Sequence, residues 1–181
     1  ISEKFIAELT KSMAAFVVGR GTDATTTLGA SVSVKERNKI AELVDQAVAA
    51  GAKVETGGKT PDGIGAFYPA TVLSVAKDNS ILKHEIFGPV APVVIFDTDA
   101  EGIALANDTE FGLISYVFSS DLARALRTAE AMESGMVAIN KGVISDPAAP
   151  FGGVKQSGLG REGGFDGIHE FLQTKYIGVQ I

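Results

Sequence analysis

Residues that could do chemistry gather in two loops of the sequence. The first runs from Ile81 to Val90 and the second from Asn140 to Arg161. Each places polar side chains beside a rigid turn, Gly88-Pro89 in the first loop and Pro150-Phe151-Gly152-Gly153 in the second. Rigid loops that follow strands are where α/β proteins place their sites. We therefore expect the functional residues of this chain in these two loops.

Composition and spacing exclude several kinds of chemistry. The chain has no cysteine, which excludes a disulfide framework, a thiolate metal site and a cysteine nucleophile among these residues. His84 and His169 are each followed by glutamate, but neither has a second histidine four residues on, as a zinc-protease helix requires. No serine lies in a G-x-S-x-G turn. We expect neither a metal site nor a serine hydrolase.

Two short motifs have structural interpretations. Gly158, Gly160 and Gly163 spell G-x-G-x-x-G, but a long loop precedes them where a dinucleotide-binding motif needs a strand. Asn107 begins a glycosylation sequon, and we interpret it as the end of a helix instead. Neither motif is assigned a site.

The elements that position the two loops follow from apolar spacing. Capping boxes, in which a hydroxyl and a carboxylate three residues later satisfy free amides, mark two helix starts. The predicted helices run over 2–17, from the cap Ser33 to Gly51, from the cap Thr98 to Asn107, from Ser120 to Gly135 and around 164–172.

Short apolar segments between these helices predict strands over 53–55, 67–75, 91–96, 113–118 and 136–139. Pro69 favours an edge or a position before the strand proper. The valine-rich run 91–96 predicts a strand buried on both faces. Three strands alternating with two helices indicate βαβ units. We predict an α/β fold with a largely parallel sheet and flanking helices.

The overall composition is that of one soluble globular domain, with 45% hydrophobic and 21% charged residues. Asp and Glu outnumber Lys and Arg by 22 to 16, and a net charge of −6 would repel a phosphate backbone, so no nucleic acid partner is expected. The apolar runs are far shorter than the roughly 18 residues of a membrane span, so no membrane partner is expected. The absence of cysteine favours a cytoplasmic location.

Three ordered motifs resemble the aldehyde dehydrogenase superfamily. Glu85-Ile86-Phe87-Gly88-Pro89-Val90 is similar to its glutamate-phenylalanine signature, Asn107 to Leu113 to its asparagine-to-glycine-leucine turn, and Pro150 to Glu162 to its C-terminal loop. Asn140 to Ser145, placed before Pro150-Phe151, resembles the succinate-semialdehyde branch. The resemblance implies an enzyme that oxidises succinate semialdehyde to succinate with NAD or NADP, in 4-aminobutyrate degradation, through a thioester on a cysteine.

The resemblance also implies that much of the enzyme is missing from this chain. The family's nucleophilic cysteine, general-base glutamate, oxyanion asparagine and Rossmann domain lie upstream of the point matching Ile1. We expect residues 1–172 to be a catalytic domain that lacks its start and the cysteine, and 173–181 to be an oligomerisation strand of a homo-oligomer. No catalytic residue is assigned in this chain. Alone it is expected to be inactive and to bind no cofactor, with the missing Rossmann domain as its partner.

Four residues are assigned binding roles through the resemblance. Glu85 would grip the nicotinamide ribose hydroxyls, and Phe87 would pack beside the nicotinamide ring. Phe151 would line the aldehyde tunnel, and Ser145 would hydrogen-bond the distal carboxylate of a semialdehyde. Each also has a structural alternative: Glu85 pairs with Lys83 or caps a turn, and Phe87 is a core anchor. Phe151 is a buried aromatic that stabilises the loop, and Ser145 bonds local backbone.

Two other functions are also consistent with the sequence. The chain could belong to a sister aldehyde dehydrogenase that acts on another small or carboxylated aldehyde. It could also be a non-catalytic module whose activity is self-association. Arg161 could attract a substrate carboxylate, but the favoured interpretation is that it ties down the glycine-rich loop by bonding carbonyls.

Overall fold

A computed structural model describes residues 1–181, which divide into two units, Ile1–Phe96 and Asp97–Ile181. The first unit contains the helices α1 (Ser2–Ala14) and α2 (Val34–Ala49) and a 3₁₀ helix (Ser80–Lys83). Its sheet has the strand order β1-β2-β3, with β1 at Lys53–Thr56, β2 at Thr71–Ser74 and β3 at Val90–Val93. The β1/β2 pair is antiparallel and the β2/β3 pair is parallel.

The core of the first unit forms where α2 meets β2. Ile40, Val44 and Ala47 recur on one face of α2 and are fully buried, together with Leu73 of β2 and Ile81 of the 3₁₀ helix. Alternate residues of a strand point to opposite faces, so Val72 faces away from this cluster. Val72 is also fully buried. The helix α1 lies along β1 and β2. The central strand is therefore covered on both faces.

The second unit contains α3 (Asp99–Asn107), α4 (Leu122–Ala131) and a second 3₁₀ helix (Asp166–Phe171). The strands β5 (Ile114–Val117) and β6 (Met136–Ile139) pair in parallel, and the short strands β4 (Phe111–Gly112) and β7 (Val154–Lys155) pair antiparallel. Residues 173–181 form no strand within this chain and are exposed.

The α/β class predicted from the sequence is confirmed, and two of the strand pairs are parallel. The hydroxyl half of both capping boxes is confirmed: the Ser33 and Thr98 side chains accept the N–H groups of Glu36 and Glu101. The Glu101 carboxylate accepts the N–H of Asp97, one residue before the cap. Asn107 is the last residue of α3, as predicted. Pro69 precedes β2, so it costs the sheet no hydrogen bond.

Four predictions about elements need correction. The first helix ends at Ala14, short of the predicted 17. The fourth begins at Leu122, because Asp121, not Ser120, accepts an amide of its first turn. The strand predicted over 91–96 ends at Val93 and is only half-buried, because β3 lies at the edge of its sheet. The helix predicted around 164–172 is a six-residue 3₁₀ turn.

No helix of the chain combines the length and the apolar character needed to cross a membrane.

Candidate functional site

The loop that carries Glu85 and Phe87 is anchored at its start by a buried asparagine. Asn79 is 4% exposed; its side chain accepts the amide of Ile81 at 3.2 Å and donates to the carbonyl of Ala47 at 3.2 Å. The second bond ties the 3₁₀ helix to the end of α2. The loop that follows Lys83 therefore begins at a fixed position on the core.

The far end of this loop is held just as closely. A Cβ on Gly88 would lie 2.5 Å from Cδ1 and 2.8 Å from Cγ1 of the fully buried Ile40, so any larger residue there would displace the Ile40 side chain. The carbonyl of Pro89 accepts the amide of Thr71 at 2.8 Å, which joins the loop to β2. Ile86 packs against the core between the two anchors.

Phe87 is pushed outward by these constraints. With Ile86 and Gly88 both held on the core, its backbone adopts φ +48°, a left-handed conformation that is uncommon for a bulky residue, and its side chain is 79% exposed. Phe87 is thus not a core anchor, and that structural alternative is wrong. Glu85 is exposed on the same loop, two residues away.

The second loop starts from a clamp at the ends of β5 and β6. The amide side chain of Asn140 accepts from the Ser119 N–H at 2.9 Å and donates to the Ser119 carbonyl at 2.8 Å. Its own backbone amide bonds the carbonyl of Val117, and its φ is +52°. Asparagine tolerates this left-handed conformation better than most residues. The clamp fixes the direction in which residues 141–151 leave the sheet.

Glycines allow the end of this loop to pass close to its neighbours. A Cβ on Gly135 would overlap the carbonyl oxygen of Gly152, and one on Gly153 would lie 2.6 Å from Cβ of Ser157. Phe151, which directly precedes Gly152, exchanges two backbone hydrogen bonds with Glu162, at 2.7 and 2.8 Å. The backbone of the half-buried Phe151 is therefore fixed to that of Glu162.

Arg161 ties down the glycine-rich segment, which confirms the favoured interpretation. Its guanidinium donates to the carbonyls of Gly153 and Gly160, both at 2.7 Å, and its backbone N–H donates to the carboxylate of Glu170 at 3.1 Å.

A cavity of about 240 Å³ opens beside this loop within the second unit. Its wall is formed by backbone and side chains of β6 and of the loop: Gly135, Met136, Val137, Ile144, Asp146, Ala149, Pro150 and Phe151. Phe151 therefore forms part of a cavity wall. Ser145 is exposed and is not part of the lining, although its neighbours Ile144 and Asp146 are.

The assigned residues thus fall into two groups, one in each unit. Glu85 and Phe87 share one loop of the first unit, and Ser145 and Phe151 share the loop of the second. Asp146 is a lining residue that the sequence motifs do not predict. The signal for it was the Asp146-Pro147 dipeptide, which favours a turn start, but nothing local shows that this turn closes a cavity wall.

The two carboxylates whose pKa values are shifted lie outside both loops. Hydrogen bonds from Lys53 and Ser74 lower the pKa of Glu55, and the Arg124 guanidinium lowers the pKa of Asp99. Glu55 pairs with Lys53 within β1, and Asp99 of α3 pairs with Arg124 of α4, so both shifts reflect structure rather than chemistry. No group of three His, Cys, Asp or Glu side chains could hold a metal ion.

The sequence profile of the aldehyde dehydrogenase family matches residues 1–177. The chain therefore belongs to the aldehyde dehydrogenase family. It is 50% identical to a succinate-semialdehyde dehydrogenase of Paenarthrobacter nicotinovorans, over 99% of this chain and 40% of that protein. It is 44% identical to a glutarate-semialdehyde dehydrogenase of Pseudomonas putida, over 100% of this chain and 38% of that protein.

Solved structures show the same fold. A betaine aldehyde dehydrogenase from Staphylococcus aureus in complex with NAD⁺ superposes with a TM-score of 0.91 at 40% identity, covering 98% of this chain and 36% of that one. The chain thus spans about two fifths of the length of the relatives that it matches.

Proposed function

We propose that this chain is the cofactor-positioning and substrate-lining part of an enzyme that oxidises a carboxylated aldehyde to the acid with NAD⁺ or NADP⁺. Succinate semialdehyde is the first candidate and glutarate semialdehyde the second, because the two relatives described above are named for these substrates. The observation that carries the proposal is the loop Ile144–Phe151, which combines the sequence of the semialdehyde branch with a cavity wall.

The first loop fits a nicotinamide cofactor. An exposed carboxylate can accept hydrogen bonds from two neighbouring hydroxyls, and an exposed ring held by rigid backbone offers a flat apolar face. Glu85 would hold the ribose and Phe87 would limit the movement of the ring. When bound, the cofactor supplies the hydride-accepting carbon, while the protein supplies its orientation.

The second loop would hold the substrate. Phe151 would form an apolar wall along the aldehyde, and Ser145, exposed at the edge of that wall, would donate its hydroxyl to the distal carboxylate. This chain contains no thiol, and hydroxyl groups remain protonated near neutral pH without an adjacent base. The nucleophile must therefore come from another part of the protein, and we expect no aldehyde oxidation by this chain alone.

The test of this function is Ser145→Ala in the complete enzyme, assayed with succinate semialdehyde and with butanal. Loss of one hydrogen bond to a charged group, worth roughly 1.5 to 3 kcal/mol, should lower kcat/KM for the semialdehyde by about 10- to 150-fold. Butanal has no carboxylate, so its kcat/KM should hardly change. Equal losses for both aldehydes would mean that Ser145 only supports the loop. Absence of NAD(P)-dependent oxidation by the unsubstituted enzyme would overturn the function itself.

A further inference from the structure

The cavity of the second unit has an unexpected charge. Among its lining residues, Asp146 is the one with an ionisable side chain; the others are glycine, alanine, proline or apolar. An aspartate side chain normally carries a negative charge near neutral pH. The cavity wall therefore presents a negative charge and no positive one.

The position of this charge is fixed by the turn that Asp146 begins. Its Oδ1 accepts the backbone N–H of Ala148 at 2.9 Å, and its carbonyl accepts the N–H of Ala149 at 3.0 Å. Ala149, Pro150 and Phe151 continue directly from this turn into the cavity wall. Asp146 is exposed, so these bonds hold its carboxylate in one orientation beside the cavity, in contact with solvent.

We infer that Asp146 is a specificity-determining residue that selects aldehydes by the charge of their non-reacting end. The inference rests on the proposed function, because it takes the cavity beside Phe151 as the place where that end lies. Like charges held a few ångströms apart repel, and an opposite charge is attracted. Asp146 therefore disfavours a substrate carboxylate and favours a cation, opposing the hydrogen bond that Ser145 offers to a carboxylate.

The opposite effects of Asp146 and Ser145 on a carboxylate widen the range of substrates. The enzyme oxidises carboxylated aldehydes less efficiently than the same site would without the charge. It also accepts a quaternary ammonium aldehyde, the kind of substrate for which the structurally similar betaine aldehyde dehydrogenase is named. One side chain thus shifts the balance between two classes of aldehyde.

The experiment compares Asp146→Asn with the unsubstituted complete enzyme on two pairs of aldehydes. Succinate semialdehyde is paired with its neutral amide, 4-oxobutanamide, and betaine aldehyde with its neutral isostere, 3,3-dimethylbutanal. The asparagine Oδ1 can still accept from Ala148, so the turn is preserved. We expect the ratio of kcat/KM for succinate semialdehyde to that for its amide to rise roughly tenfold, and the ratio for betaine aldehyde to its isostere to fall by a similar factor.

Two further variants make the result specific. Asp166→Asn removes the same charge from an exposed residue that does not line the cavity, and both ratios should remain unchanged. Asp146→Ser keeps a side-chain acceptor for the turn, so it repeats the test if the asparagine variant folds poorly. If both kcat/KM ratios in both Asp146 variants stay within twofold of those of the unsubstituted enzyme, the inference is overturned and the proposed function is left intact. Failure of the unsubstituted enzyme to oxidise any of the four aldehydes would overturn both.

Discussion

At the scale of single residues, Phe87 combines an exposed ring with a strained backbone. A left-handed conformation costs a non-glycine residue roughly 1–2 kcal/mol. Because its ring is 79% exposed, Phe87 gains little burial in return. Strain that the surrounding structure imposes without a packing benefit is typical of functional positions. The conformation of Phe87 thus supports its proposed role beside the cofactor.

The first prediction separates the strain from the ring. Phe87→Gly should raise the free energy of unfolding by about 0.5 to 1 kcal/mol, because glycine adopts φ +48° without strain. Phe87→Ala keeps the strain and removes the ring, so its stability should hardly change. Both variants should weaken NAD(P)⁺ binding to the complete enzyme. Chemical denaturation and cofactor titration measure the two effects. A Phe87→Gly variant that is less stable than the natural protein would show that the ring packs.

Tyr68 provides a second test at this scale, concerning pH. Its side chain is 1% exposed and its hydroxyl has no hydrogen-bond partner. The Thr71 hydroxyl lies nearby, but it already donates to Pro69 and accepts from Gly58. Burial, with a contribution from Asp45, raises the pKa of Tyr68 to about 12 from an ordinary value of 10.0.

The sign of the effect follows from this raised pKa. The folded protein holds the phenol proton more tightly than the unfolded chain does. The contribution of this proton to the free energy of unfolding is therefore fully present below pH 10 and is lost between pH 10 and about 12. Tyr68→Phe should therefore be at least as stable at pH 7 and lose less stability up to pH 11.5, as measured by urea denaturation. The control is Tyr176→Phe, at a position that is 92% exposed. If the free energy of unfolding falls with pH equally in Tyr68→Phe and in the natural protein, the prediction is wrong.

At the scale of elements, the candidate loop depends on close backbone contacts that only glycine permits. A Cβ at Gly135 would overlap the Gly152 carbonyl, whereas one at Gly142 would meet no atom within 4 Å. Gly135→Ala should therefore destabilise the protein by about 2 kcal/mol or more, because backbone must shift, and Gly142→Ala by less than about 0.5 kcal/mol. Thermal unfolding of the two variants gives the comparison. Similar melting temperatures would mean that the loop is not held against β6.

Local features of these elements could be predicted from the sequence. The hydroxyl caps at Ser33 and Thr98 are local, since each hydroxyl and the N–H that it accepts lie within one helical turn, and the structure has both. The predicted cap of α4, Ser120, differs by one residue from the observed cap, Asp121. Both side chains can cap a helix, and only the backbone geometry decides between them. Strand pairing was harder. β4 and β7 each have two residues and pair across a long separation, so no periodicity could reveal them.

The candidate site shows the same limit. Motifs located both loops, because Gly-Pro and Pro-Phe-Gly-Gly constrain the backbone wherever they occur. The sequence could not show that Phe87 would be exposed, since this follows from Ile86 and Gly88 being held on a distant helix. Nor could it show that Asp146, rather than its neighbour Ser145, would line the cavity. Both facts depend on contacts between residues far apart in the chain.

At the scale of the whole molecule, the least explained surface is the segment 173–181. Its apolar residues Ile177, Val179 and Ile181 alternate with other residues, so in an extended strand they would share one face. All three are more than 70% exposed, and the segment pairs with no strand of this chain. Unpaired extended backbone with an apolar face is a template for pairing with another chain. This supports the proposal that the segment is an oligomerisation strand.

The last prediction is that this segment drives self-association. Val179→Asp adds a charge to the apolar face, and burying an unpaired charge in a sheet interface is costly, so the equilibrium should shift towards monomer. Val32→Asp adds the same charge at a valine that is 91% exposed in the first unit, and it should leave association unchanged. Sedimentation velocity over a hundredfold range of concentration measures the distribution for the natural protein and both variants. Deletion of residues 173–181 should act as Val179→Asp does. If the natural protein remains monomeric throughout, or if both aspartate variants associate as it does, the segment is not an oligomerisation strand.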